Sequence, residues 1–176
     1  MRRVLLLLLT MMASACASER DWMTEGGPAD SLTLTASAPS ARPRLRVQAA
    51  SRKGSGVEMS LVDVSFLVEP RWELPGEAST GPQPWHRVRI VDERDDKVLG
   101  EHVFVLTQPN VPGVMKLGFP VSEEDAISQL DATYRLEFDW QGAPAEGAIQ
   151  VGWKPLVTLL TDKEDQDDIE FTFTPL

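Results

Sequence analysis

From residue 44 onward the chain is built of short stretches in which apolar and polar residues take turns. Tyr134, Leu136, Phe138 and Trp140 fall on one side, with Thr133, Arg135, Glu137 and Asp139 on the other. That period of two marks a strand with one buried face. Leu45, Val47 and Ala49 alternate in the same way with Arg44, Arg46 and Gln48. Val57, Met59 and Leu61 are followed by Val62, Val64 and Phe66, so the apolar phase flips between Leu61 and Val62. A slip of one residue exchanges the two faces, and the flip predicts a bulge or a change of sheet at that point. Val88–Val91 and Val98–Leu106 flank a charged turn at residues 92–97 and predict a hairpin. Further strands are expected at 114–119, 148–151, 156–160 and 169–173. One helix of about two turns is expected after Ser122, where Asp125 stands three residues on and Ala126, Ile127 and Leu130 share a face. The pattern predicts an all-β antiparallel two-sheet sandwich with at most one short helix.

The first 43 residues read differently. Met1-Arg2-Arg3 precedes an apolar run that reaches Ala15 in twelve residues. A basic start, a short apolar core and small residues before a cut site make a secretory signal, and the run is too short to span a bilayer as a helix. Ala13-Ser14-Ala15-Cys16 resembles the lipobox of bacterial lipoproteins. That resemblance implies cleavage before Cys16 and acylation of its thiol. Ala13 stands where the family usually has Leu, and the same residues fit the ordinary secretory cut, so lipidation and simple release both remain open. Cys16 is the single cysteine of the chain. It has no partner for an internal disulfide, which favours the acylated reading. Ala17-Ser18 lack the aspartate of an inner-membrane retention signal, so the resemblance implies the outer membrane, with release to the periplasm or beyond as the alternative. The division expected is signal 1–15, lipidated N-terminus and flexible tether 16–43, and sandwich domain 44–176.

Composition narrows the function. Removing residues 1–15 takes Arg2 and Arg3 away, so the 17 basic residues become 15 against 27 acids, a balance of −12. An acidic chain is repelled by nucleic acid, which is excluded as a partner. Basic residues gather at Arg42, Arg44, Arg46, Arg52 and Lys53; Arg44 and Arg46 are expected on the wet face of a strand whose Leu45 and Val47 face inward, the alternative being a basic surface for anionic lipid or wall polymer near the tether. The acids Asp162, Asp165, Asp167 and Asp168 crowd a turn and are the candidate calcium ligands, although the glycine and spaced acids of a calcium loop are missing. His86 and His102 lie on adjacent strands without a placed carboxylate, an incomplete zinc site, and are expected as surface residues. No Gly-x-Ser-x-Gly and no phosphate loop occur, so no enzyme and no cofactor are expected. The Pro-flanked stretch 70–84 is read as a long loop, with Trp72 and Leu74 as candidate partner-binding residues against the alternative that Trp72 folds back on the sandwich.

Leu130-Asp131-Ala132-Thr133-Tyr134, a strand start bearing the single tyrosine, resembles immunoglobulin-like and fibronectin-type modules in architecture. There a tyrosine hydroxyl bonds back to upstream backbone. Together these readings imply a membrane-tethered envelope lipoprotein. Its non-catalytic sandwich would bind a protein or glycan partner, as an accessory subunit of a membrane-spanning assembly. The alternative is a secreted ligand- or calcium-binding sandwich.

Overall fold

The computed structural model describes residues 19–52, 54–74, 81–122, 125–142 and 145–176. Their strands are β1 (Arg20–Gly26), β2 (Asp30–Leu34), β3 (Ser40–Ala41), β4 (Arg44–Ser51), β5 (Ser60–Glu73), β6 (Trp85–Asp92), β7 (Lys97–Val105), β8 (Met115–Ser122), β9 (Gln129–Gln141), β10 (Ala148–Asp162) and β11 (Ile169–Pro175). All the pairings are antiparallel, and the strands form two sheets that face each other as a sandwich. The first sheet runs β1-β10-β5-β8, with β2 also on β10; the second runs β11-β4-β9-β6-β7, with β3 also on β9. The expected fold class is therefore present.

The alternation in the sequence maps onto the two faces. Tyr134, Leu136, Phe138 and Trp140 of β9 are buried, as are Leu45, Val47 and Ala49 of β4. They meet Val62, Val64, Phe66 and Val68 of β5 and Ile149, Val151, Trp153, Val157 and Leu159 of β10 in one core. The flip at Leu61–Val62 is a bulge. Register between β5 and β10 shifts between Thr158 and Leu160, and Leu61 takes φ +47. That left-handed conformation is strained for a leucine, and it turns the side chain out to 38 % exposure while Val62 points in.

Two prolines misled the strand boundaries. The sequence reading ended β5 at Pro70 and split β10 around Pro155, yet both strands run through. Gly27 N–H donates to the Pro155 carbonyl at 3.0 Å, so Pro155 turns its backbone polar atoms toward the gap between β1 and β2. Gly113 N–H donates likewise to the Pro70 carbonyl at 2.8 Å, beyond the end of β8. Each ring thus sits where no ladder partner awaits an N–H, which is how a sheet tolerates proline.

Three other expectations are corrected. Residues 20–41, expected within a flexible tether, contain strands: β1 and β2 form one broken line along β10, and β3 continues β4 along β9. The strands are short and interrupted, which hides their period from the sequence. The helix expected after Ser122 is absent from the described residues there. Ser122 ends β8, its hydroxyl bonds to the Asp125 carbonyl, and Ile127 bridges to Met59 before β9 begins at Gln129. Pairing with neighbouring strands wins over a weak local cap. The tyrosine arrangement is also missing. Tyr134 is fully buried between Phe66 and Phe119, at ring distances of 6.2 and 5.2 Å, and its hydroxyl has no hydrogen-bond partner among the described residues. Burial raises its pKa well above the ordinary 10.0.

Candidate interaction surface

The outer face of the second sheet is a lattice of ion pairs. Arg44 grips Glu93 at 2.6 Å and Arg46 grips Asp131 at 2.6 Å. Arg135 reaches Glu93, Asp96 and Glu137, at 3.6, 3.1 and 3.1 Å. Arg42 and Arg87 close on Asp139, and Arg89 on Glu137. Burial pushes the Asp139 carboxyl up, but hydrogen bonds from Arg42, Ser40 and Arg87 together outweigh it and hold it below its ordinary value. The hydrogen bond from Arg44 does the same for Glu93, and that from Arg46 for Asp131. The arginines of β4 thus lie on the wet face as expected, and acids from β9 and the β6–β7 turn answer their charge. The face is a closed set of charges with little left to offer a charged ligand.

The residues singled out from the sequence scatter. Cys16 lies outside the described residues. Trp72 is 2 % exposed and donates its indole N–H to the Glu146 carbonyl at 2.8 Å, so it is a core residue of β5 and no exposed anchor. Leu74 is half-buried against the same core. Asp162 ends β10, while Asp165, Asp167 and Asp168 ride on a 3₁₀ turn at Lys163–Asp168. Asp162 is 3.5 Å from Arg20, and Asp168 is 3.6 Å from Arg52. Among the described residues no three acid, histidine or cysteine side chains gather as a metal would need.

His86 corrects the expectation of a surface histidine. It points inward from β6, is fully buried, and stacks on Phe104 at 5.0 Å with planes 8° apart. Neither ring nitrogen has a hydrogen-bond partner within normal geometry. Burial lowers its pKa from 6.5 to about 4, partly offset by the Arg87 backbone and reinforced by the nearby His102.

Apolar surface collects instead at two places that the sequence reading left aside. The first is the free edge of the second sheet. Among the described residues β7 pairs with β6 alone, and its outward side chains Val103 and Val105 are 41 and 60 % exposed. Val111 and Val114 from the following loop are exposed too, and Val105, Leu106, Val111 and Pro112 help line a hollow of about 170 Å³. Edge strands are usually blunted by proline or lysine. β8 carries Lys116 and Pro120, and β11 ends at Pro175; β7 carries Lys97 and Glu101 in its first part but neither charge nor proline from residue 103 to 105. The signal lay in Val103-Phe104-Val105-Leu106, where apolar residues occupy both faces of a strand. The second place is the outer face of the first sheet, where Trp22 is 55 % exposed beside its β10 partner Leu160.

No family model matches the chain, and no characterised protein matches it by sequence. Among solved structures it is similar to the VP2 subviral particle of infectious bursal disease virus. There the identity is 8 %, the coverage 89 % of this chain and 37 % of that one, and the TM-score 0.36. It is also similar to the Gt strain of the same virus, with 10 % identity, 83 % and 36 % coverage and a TM-score of 0.26. The chain spans less than two fifths of those proteins' length. At such scores the likeness carries no argument about what this chain does.

Proposed function

We propose that this chain is an exported envelope lipoprotein, anchored through Cys16, whose sandwich binds a protein partner and performs no catalysis. The observation that carries the binding role is the uncharged apolar end of the β7 edge, at Val103 and Val105. A row of unpaired backbone groups flanked by Val103 and Val105 suits an added strand from another protein, with main-chain hydrogen bonds for affinity and the valines for selection. The ion lattice on the adjoining face supports the same reading from the other side, since its charges are already answered within the chain. The lipobox-like Ala13-Ser14-Ala15-Cys16 supports the envelope address.

The test is a photo-crosslinking amino acid at Val105 in the full chain, expressed in the producing cell. One discrete adduct is expected, and Val103→Lys in the same chain should remove it by breaking the edge with a charge. Absence of any adduct at Val105 and at neighbouring β7 positions refutes the binding role. Membrane fractionation and mass spectrometry of the mature N-terminus test the address. An unmodified chain beginning at Cys16 or beyond refutes the anchor.

A further inference from the structure

We infer that the outer face of the first sheet lies against the bilayer, with the row Trp22, Leu160 and Leu61 at the lipid headgroup level; the inference rests on Cys16 being the anchor. β1 begins at Arg20, so only residues 17–19 separate Cys16 from a strand fixed in the sheet. Four extended steps reach at most about 14 Å, and two more along β1 bring Trp22 within about 21 Å of the acylated residue. A flexible tether of 28 residues would let the domain roam; this one holds it down.

The end of that face nearest the attachment carries an apolar row. β1 pairs Trp22 with Leu160 and Thr24 with Thr158, and the two threonine hydroxyls bond each other at 3.1 Å. Leu160 pairs in turn with Ser60, and the bulge next to it turns Leu61 outward. Trp22 and Leu61 are exposed, Leu160 half so. Inward-facing Met23 and Leu159 fill the core beneath them, so the outer row is unneeded for packing. Farther along the same face Leu156 and Leu67 are half-buried, and Asp63, Lys154, Glu69 and Lys116 bring charge back, so the apolar row is confined to the end beside β1.

Charge at this end fits a zwitterionic surface. Arg20 pairs with Asp162 at 3.5 Å and Lys163 with Glu19 at 3.7 Å, leaving Glu164, Asp165 and Asp167 of the adjoining turn in excess. Anionic lipid repels such an end, whereas tryptophan favours the headgroup level of a bilayer for the mixed polarity of its ring.

The test uses the full chain purified from its producing membrane and placed in phosphatidylcholine vesicles, some of whose lipid is brominated near the glycerol end of the acyl chain. Bromine quenches tryptophan at that depth. The chain has five tryptophans, so Trp22 accounts for about a fifth of the emission. Wild type should lose about that share on moving from plain to brominated vesicles, and Trp22→Phe should lose none. Mass spectrometry of the same sample reads the acylation of Cys16. An acylated chain whose quenching is equal in wild type and Trp22→Phe overturns the membrane-facing assignment and leaves the anchor standing. A chain without acyl groups overturns the anchor and this orientation with it.

Discussion

Replacing His86 by leucine should flatten the acid side of the stability curve. The folded ring is fully buried, stacked on Phe104 and unbonded at both nitrogens, and its pKa sits at about 4. In the unfolded chain the same group takes its proton near 6.5. Between those values the unfolded state holds more protons, so stability rises with pH across this window. The favourable neutral state is complete above about pH 6.5 and its advantage drains away as pH falls toward 4. At about 1.4 kcal/mol per unit of pKa difference, His86 alone should remove about 2.5 kcal/mol between pH 7.5 and pH 4.5. Urea unfolding at both pH values, for wild type and His86→Leu, measures it. The exchange of volume and the loss of two unbonded nitrogens shift the stability of the variant at either pH alike, within about 1.5 kcal/mol. The carboxylates titrate equally in both proteins. Comparing the two pH differences therefore isolates the ring. If His86→Leu loses as much stability on acidification as wild type, the buried-histidine account is wrong.

Other expectations follow from single contacts. Trp72→Ala empties a core position and orphans the Glu146 carbonyl, and should cost about 3–5 kcal/mol in denaturant unfolding, where an exposed anchor would cost almost nothing. Leu61→Gly relieves a left-handed leucine and should leave the melting temperature unchanged or higher, whereas Leu67→Gly in the regular part of β5 should cost at least about 1 kcal/mol. Asp139→Asn removes the charge that Arg42 and Arg87 share and should destabilise the fold by about 1–2 kcal/mol at pH 7. Because the folded pKa of Asp139 is held below the ordinary 3.8, its contribution is present above that value and is lost as pH falls through the folded one. The gap between wild type and Asp139→Asn should thus close under strong acid. Val103→Lys, on an exposed edge, should change stability by less than about 0.5 kcal/mol, so its loss of the adduct at position 105 reports binding.

The two outer faces of the sandwich divide its surface chemistry. On the second sheet, β9 presents Arg135, Glu137 and Asp139 in the middle of the sheet, and arginines from β3–β4 and β6 cover the acids so closely that Glu137 and Asp139 are buried. On the first sheet, the row through Trp22 and Leu160 is flanked by the Arg20–Asp162 pair on one side and by Asp63, opposite Thr158, on the other. Both faces are polar-side positions by alternation. Their difference lies in which residues share a row.

Alternation by itself determined most of the secondary structure. Strand identity depends on the local period of two, and β4, β9, the β6–β7 hairpin and the bulge at Leu61 were legible because each is written in consecutive residues. Broken strands and prolines defeated that reading. Leu32 and Leu34 alternate with Thr33 and Thr35, but so short a run fits a first strand or a tether equally, and whether Pro70 or Pro155 ends a strand depends on what stands opposite its nitrogen. That is a property of a neighbour far away in sequence. The same limit hid the surface. His86 and Trp72 were in view as residues, but their burial follows from Phe104 and from the β9–β10 turn closing over them. Val103 and Val105 read as ordinary strand valines until the strand order left β7 without a second neighbour. A sequence states which residues share a face; pairing across the sheets decides which faces and edges remain in water, because burial is a sum over contacts that the chain makes only when folded.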